Sequence, residues 1–231
     1  MNIEKNISSV KERIANICYK IGRDPVSIKL LAVTKTHPIE IIETALNAGI
    51  EYIAENRIQD AENKIPDLLK KYKEFHFIGH LQSNKIKKLM KLEPDLIHSI
   101  DSLSTAGKLN DYLIRINRIQ DILIQVNTSG EASKFGIAPI ETLSIINDID
   151  QLSNLRTKGL MTIGMFTDNK DIIRNCFRIL RELFEKISKI DFNNTEMKYL
   201  SMGMTDDFEI AIEEGANILR IGSAIFGPRN F

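Results

Sequence analysis

Eight short strand-like runs, each but the last followed by a helical stretch, constrain this chain more than any other feature of its sequence. The runs are 28–34, 52–55, 75–79, 96–100, 122–127, 158–163, 199–202 and 218–225. The helical stretches fall near 39–48, 57–71, 83–92, 103–117, 139–149, 169–189 and 206–214. Alternating β and α elements favour a parallel sheet with helical crossovers. Eight such repeats in roughly 200 residues are what a closed (β/α)8 TIM barrel requires. An open doubly wound sheet usually stops at five or six strands. Ahead of the first strand, Ile3, Ile7, Val10, Ile14, Ile17 and Ile21 recur at spacings of four and three, the stripe of an amphipathic helix. Gly22 follows as its stop. No Pro/Gly/Ser linker or low-complexity tract interrupts the pattern. Residues 1–231 therefore read as one α/β barrel domain with an extra N-terminal helix over 1–21.

Composition removes several function classes. Lysine plus arginine and aspartate plus glutamate both total 31, so no global field favours nucleic acid or an anionic membrane. No apolar run approaches the ~18 residues of a membrane span. Glu4 and Glu12 break any signal or transit peptide pattern. Cys18 and Cys176 lie far apart and form no CxxC pair, which argues against a zinc ribbon or a disulfide framework and fits a reducing cytoplasm. Cytoplasmic localisation is the expectation.

In such a barrel the working residues sit at the C-terminal ends of the strands. The first strand ends in Lys35. A lysine at a barrel mouth is either an ordinary solvated charge or an amine whose desolvation helps it lose a proton and attack an aldehyde. At the other end, Ser201-Met202-Gly203-Met204 runs into Thr205-Asp206-Asp207-Phe208-Glu209, with Asp206 and Glu209 at the spacing of a helix N-cap and its partner. The eighth strand leads into Arg220-Ile221-Gly222-Ser223, where a glycine admits close backbone approach. Loops after strands seven and eight often hold phosphate. Closure would make those loops neighbours of Lys35, and an aldehyde-bearing phosphate ester, pyridoxal 5′-phosphate (PLP), would join them. Arg220 shares a strand face with Ile218 and Gly222 by alternation, and is either a ligand contact at the mouth or half of an internal salt bridge. His76 and His80 raise a metal reading, but Phe77 stands where HExxH needs glutamate, so a strand end followed by a helix start is expected and no metal is assigned. Gln82, Asn84 and Lys85 are either supporting groups or a solvated first turn. Lys134 is a solvated charge or a second amine. Walker A, GxGxxG and GxSxG strings are absent.

The strings LLAVTKT (30–36), HFIGHLQSNK (76–85), SIDS (99–102), LIQVNTSGEASKFG (123–136), GLMTIG (159–164) and LSMGMTDDFEIAIEEGANILRIGSAIFGPR (200–229) resemble the YggS/PROSC family, the pyridoxal phosphate homeostasis proteins. The resemblance runs in order from about 28 to 229. It implies a barrel like the N-terminal domain of alanine racemase, with PLP held as a Schiff base on Lys35. It further implies phosphate contacts from Ser201, Gly203, Gly222 and Ser223, with Asn56 and Arg220 beside the cofactor and Arg220 at the pyridine nitrogen. Two positions depart from the family pattern: Ala54 precedes Glu55-Asn56 where glycine is usual, and Ser223 replaces threonine. Serine keeps the hydroxyl and alanine adds only a methyl.

Three roles follow for comparison. The first is a carrier or buffer of PLP in intracellular vitamin B6 homeostasis, with apo PLP-dependent enzymes as further partners. The second is a PLP-dependent amino acid racemase, and the third a barrel for another phosphorylated metabolite. Racemisation needs acid–base groups on both faces of the ring. Alanine racemases take the second from a tyrosine associated with a separate β domain. Here the chain runs to Gly227-Pro228-Arg229-Asn230-Phe231 directly after the eighth strand, and tyrosines 19, 52, 72, 112 and 199 sit in helices or within strands. The expectation is a binding protein without catalysis.

Overall fold

Period-two alternation sorts the side chains of each strand between the inside of the structure and a surrounding layer of helices. In β1 (Lys29–Val33), Leu31 and Val33 belong to a small inner cluster with Ala54, Leu96, Leu123, Met161 and Ile218, whereas Leu30 and Ala32 join the larger outer core. The other strands are β2 (Tyr52–Glu55), β3 (Glu74–Phe77), β4 (Leu96–Ile100), β5 (Gln120–Gln125), β6 (Leu155–Met161), β7 (Thr195–Ser201) and β8 (Ile218–Ile221). All pair in parallel with their chain neighbours, and β8 returns to β1, closing the barrel. The structure is a computed structural model that describes residues 2–228.

The helices are α1 (Ile3–Lys20), α2 (Ile39–Asn47), α3 (Ile58–Glu62), α4 (Ile86–Met90), α5 (Leu103–Arg115), α6 (Thr142–Asp150), α7 (Lys170–Ile187), α8 (Phe208–Glu213) and α9 (Ser223–Phe226). Asn2 caps α1 by accepting from Lys5 N, and Ile3, Ile7, Val10, Ile14 and Cys18 are buried against the barrel layer. Ile21 lies beyond the helix end and is exposed. The helix packs on α8 and α9, where Asn6 Nδ2 donates to Ile225 O.

Three expectations need correction. The run 218–225 is not one strand: β8 stops at Ile221, and Gly222 (φ −114°, ψ −80°) turns the chain into α9. The stretch 57–71 is helical only to Glu62, since Pro66 cannot donate and disfavours helix at the residue before it. Asp207, not Asp206, is the N-cap residue of α8; its Oδ1 accepts from Met204 N at 2.5 Å, and Glu209 pairs with Arg13 instead. In addition, β6 and β7 begin earlier than the hydrophobic runs did. Their first turns of sequence carry Arg156, Lys158, Glu196 and Lys198, whose charge hides a strand from a hydrophobic pattern.

Candidate functional site

Lys35 lies two residues beyond the end of β1, and Thr36 after it takes a left-handed φ of 64°, which L-residues adopt at a cost. The turn is braced from beneath. Thr34 Oγ1 donates to Glu55 Oε1 at 2.6 Å, and Lys64 Nζ donates both to that carboxylate at 2.8 Å and to Thr34 O at 3.0 Å. Glu55 is fully buried, and burial raises its pKa despite the hydrogen bonds from Lys64 and Thr34.

At the C-terminal mouth of the barrel lies a cavity of about 470 Å3. Lys35, Thr36 and His37 reach it from β1, Asn56 from β2, and Gly79 and His80 from β3. Met204, Thr205 and Asp206 line it after β7, with Arg220, Gly222 and Ser223 from β8 and beyond. The β1–β8 register, which pairs Leu31 with Arg220 and Ala32 with Ile221, sets Gly222 beside Val33, two residues before Lys35. Gly79 is held to glycine by packing, since a Cβ there would sit 1.9 Å from Asn56 O. A Cβ on Gly222 would meet only Val33, at 3.7 Å.

Arg220 is buried, and its two terminal nitrogens are committed: Nη1 donates to Ser201 Oγ at 2.6 Å and Nη2 to Thr162 O at 2.8 Å. Desolvation lowers its pKa to about 10, so it stays a cation at neutral pH. Asn56 Oδ1 is a buried acceptor without a partner in the protein. Ser223 Oγ donates to Thr205 Oγ1 at 3.1 Å, and Ala224 N donates to the same oxygen at 3.2 Å, tying the two loops together. On the opposite wall, the His80 ring stacks on Phe135 at 3.8 Å and its Nδ1 lies 3.0 Å from Asp101 Oδ2.

The structure thus brings Lys35, Asn56, Arg220, Gly222 and Ser223 around one cavity. Ser201 and Gly203 are buried and are not among its described lining residues. Ser201 holds Arg220, and Gly203 (φ 92°) is dictated by α8, because a Cβ would come within 2.6 Å of Ala211 Cβ. Lys134 Nζ is engaged by Glu131 at 2.6 Å and Gly164 O at 3.0 Å. Gln82 and Asn84 are exposed in the turn before α4. His76 faces the barrel interior whereas His80 lines the mouth. Sequence reasoning missed Thr36, His37, Phe135, Ile163 and the Glu55–Lys64 brace. All but Glu55 lie outside the strands, where no periodicity marks a direction.

Residues 3–230 match the family model described as "Alanine racemase, N-terminal domain". The pyridoxal phosphate homeostasis protein of Aquifex aeolicus is 40% identical over 231 residues, the whole of both chains. A protein of unknown function from Bifidobacterium adolescentis has a crystal structure that superposes with a TM-score of 0.93 at 36% identity, covering 96% of this chain and 94% of that one. PipY of Synechococcus elongatus, solved with PLP bound, superposes with a TM-score of 0.84 at 28% identity, covering 98% and 100%.

Proposed function

The chain belongs to the alanine racemase N-terminal domain family, among its pyridoxal phosphate homeostasis proteins, and from that premise we propose that it holds PLP as a Schiff base on Lys35 and acts as a carrier and buffer in intracellular vitamin B6 homeostasis. One observation carries this reading: β1–β8 pairing puts the Lys35 amine and the Gly222–Ser223 turn on the same cavity. An amine and a small-residue turn at adjacent strand ends suit a ligand with an aldehyde at one point and a phosphate at another. The partnerless Asn56 Oδ1 is an acceptor for a polar group on the ring between them. PLP when bound supplies a reactive aldehyde and a conjugated ring; the residues of this chain supply its anchorage.

Lys35 forms the covalent attachment. Arg220 can only donate, so beside a pyridine nitrogen it would keep that nitrogen an acceptor and free of a proton. Gly222 and Ser223 take the phosphate. Ser201 and Gly203 serve it indirectly, the first through Arg220 and the second through the turn that carries Met204 and Thr205. The cavity offers no tyrosine among its described lining residues: Tyr52 and Tyr199 lie under Lys29 within the barrel, and Tyr19 is exposed on α1. That favours holding the cofactor over racemising amino acids with it. Cys18 and Cys176 are buried free thiols, as suits a reducing compartment.

Borohydride reduction of the PLP-loaded chain followed by peptide mapping should place the pyridoxyl group on Lys35, and Lys35→Ala should abolish the Schiff-base absorbance. The loaded protein, mixed with an apo PLP-dependent enzyme, should restore its activity at least as fast as spontaneous release allows. Labelling chiefly at Lys134 or another lysine would overturn the assignment, and retention of PLP against every apoenzyme would limit the role to storage.

A further inference from the structure

Six side chains form an unbroken line of hydrogen bonds through the inside of the barrel, from its floor to Arg220 at the mouth. At the floor Lys29 Nζ donates to Glu74 at 2.6 Å, with the rings of Tyr52 and Tyr199 4.9 and 5.0 Å from the ammonium. Glu74 Oε2 lies 2.8 Å from His76 Nε2, and His76 Nδ1 lies 2.8 Å from His98 Nε2. His98 Nδ1 lies 2.9 Å from Ser201 Oγ, which accepts from Arg220 Nη1. His76, His98, Ser201 and Arg220 are all buried, so the links from His76 to Arg220 are closed to bulk water, while Lys29 and Glu74 at the floor are partly exposed.

With both rings neutral, as their burial favours, the two ends fix the direction of every link. A guanidinium donates only, and a carboxylate accepts only. Hydrogen bonds from His76 and Lys29 hold the Glu74 carboxyl down to about 2, so it is ionised. His76 must therefore carry its proton on Nε2, which leaves Nδ1 to accept. His98 must then donate from Nε2 and accept at Nδ1, and the Ser201 hydroxyl must donate to His98 while accepting from Arg220. With both imidazoles neutral, each contact has one proton and none is left over. Burial keeps both rings toward the neutral form.

We infer that Glu74 positions Arg220 across the length of the barrel through this one-way chain, with His76 and His98 both neutral and both protonated on Nε2. The hold of Arg220 on a ligand ring then depends on a residue the cavity never touches. The consequence for PLP rests on the functional reading above, whereas the protonation pattern belongs to the free protein.

The test uses the full chain with 15N-labelled histidine, in the absence of PLP at neutral pH. Two-bond 1H–15N correlation should show His76 and His98 as neutral Nε2–H tautomers, and an Nδ1–H or imidazolium form at either would overturn the chain. Glu74→Gln gives the floor a donor as well as an acceptor, so the direction is no longer imposed. That variant should show Nδ1–H population at His98 and weaken PLP binding about five- to tenfold, the worth of one misplaced hydrogen bond. It should also shift the absorbance of the bound cofactor. A folded Glu74→Gln protein with unchanged tautomers and unchanged PLP affinity would sink the proposal. If the wild-type tautomers are as stated but PLP does not bind at all, the functional reading fails and the relay stands.

Discussion

Lys64 Nζ sits 2.8 Å from Glu55 Oε1 and 3.0 Å from the carbonyl of Thr34, so one ammonium ties the residue before Lys35 to the residue before Asn56. Removing it leaves a buried carboxyl that must take a proton or remain charged without a partner. Lys64→Met should cost about 3 kcal/mol of unfolding free energy in urea titration. Adding Glu55→Leu to Lys64→Met should recover most of that loss, and no recovery would show that the ammonium acts through Thr34 O alone.

Two cavity glycines should respond in opposite ways. Gly79→Ala drives a methyl into Asn56 O and should cost about 2 kcal/mol or more through forced backbone movement, lowering the melting temperature along with PLP affinity. A Cβ at Gly222 meets only Val33 at ordinary contact distance and the rest of a leucine can extend into the cavity, so Gly222→Leu should melt within a few degrees of wild type. It should nonetheless bind PLP at least about tenfold more weakly, or roughly 1.4 kcal/mol. A tightly binding Gly222→Leu protein would move the phosphate elsewhere.

Acid should weaken the fold in two stages. His76 and His98 have pKa values lowered from 6.5 by burial, and Glu74 is held at about 2 against an ordinary 4.5. In each case the unfolded chain takes up protons first, so stability is full above the unfolded pKa and is lost as pH falls. The decline should begin near pH 6.5 and steepen below 4.5, continuing toward 2. Glu55, with its raised pKa, works in the opposite sense above 4.5 and blunts the lower end of the first stage. Denaturant titrations from pH 8 to 3 measure this, and His98→Asn should flatten the upper stage. A pH-independent profile between 7 and 5 would contradict neutral buried imidazoles.

Incubated in heavy water with common L-amino acids, the PLP-loaded chain should exchange Cα protons far more slowly than about one per second, the lower end of ordinary enzyme turnover. Mass spectrometry of the recovered amino acids reads this directly, and steady deuterium uptake would restore the racemase reading.

Strand order and barrel closure were legible because alternation of apolar runs survives wherever the outer core is hydrophobic, as in Ile53, Phe75 and Ile97. The charged starts of β6 and β7 were not, since Lys158 and Glu196 satisfy one another across strands and leave no apolar trace. That Lys35, Asn56, Arg220, Gly222 and Ser223 would meet at one cavity was legible because strand ends and familiar strings coincide there. Ser201 was assigned to the phosphate for the same reason, although its hydroxyl is taken up by Arg220 and His98. The interior relay went unread because its six members are polar residues scattered over five strands, with only Glu74 and His76 sharing one. Only the shared inward parity of Lys29, Glu74, His76, His98, Ser201 and Arg220 betrays it, and parity means little until register is known.

The return of β8 to β1 also bears on how much of this protein a cell can tolerate. In the carrier role proposed above, a chain that takes one ligand would work in stoichiometric amounts and would have to stay dispersed at concentrations an enzyme seldom needs. This chain has zero formal net charge and gains little from mutual repulsion. Among the described residues, the barrel sealed at β1–β8 leaves no unpaired strand along which copies could add, which removes the commonest route from crowding to fibres.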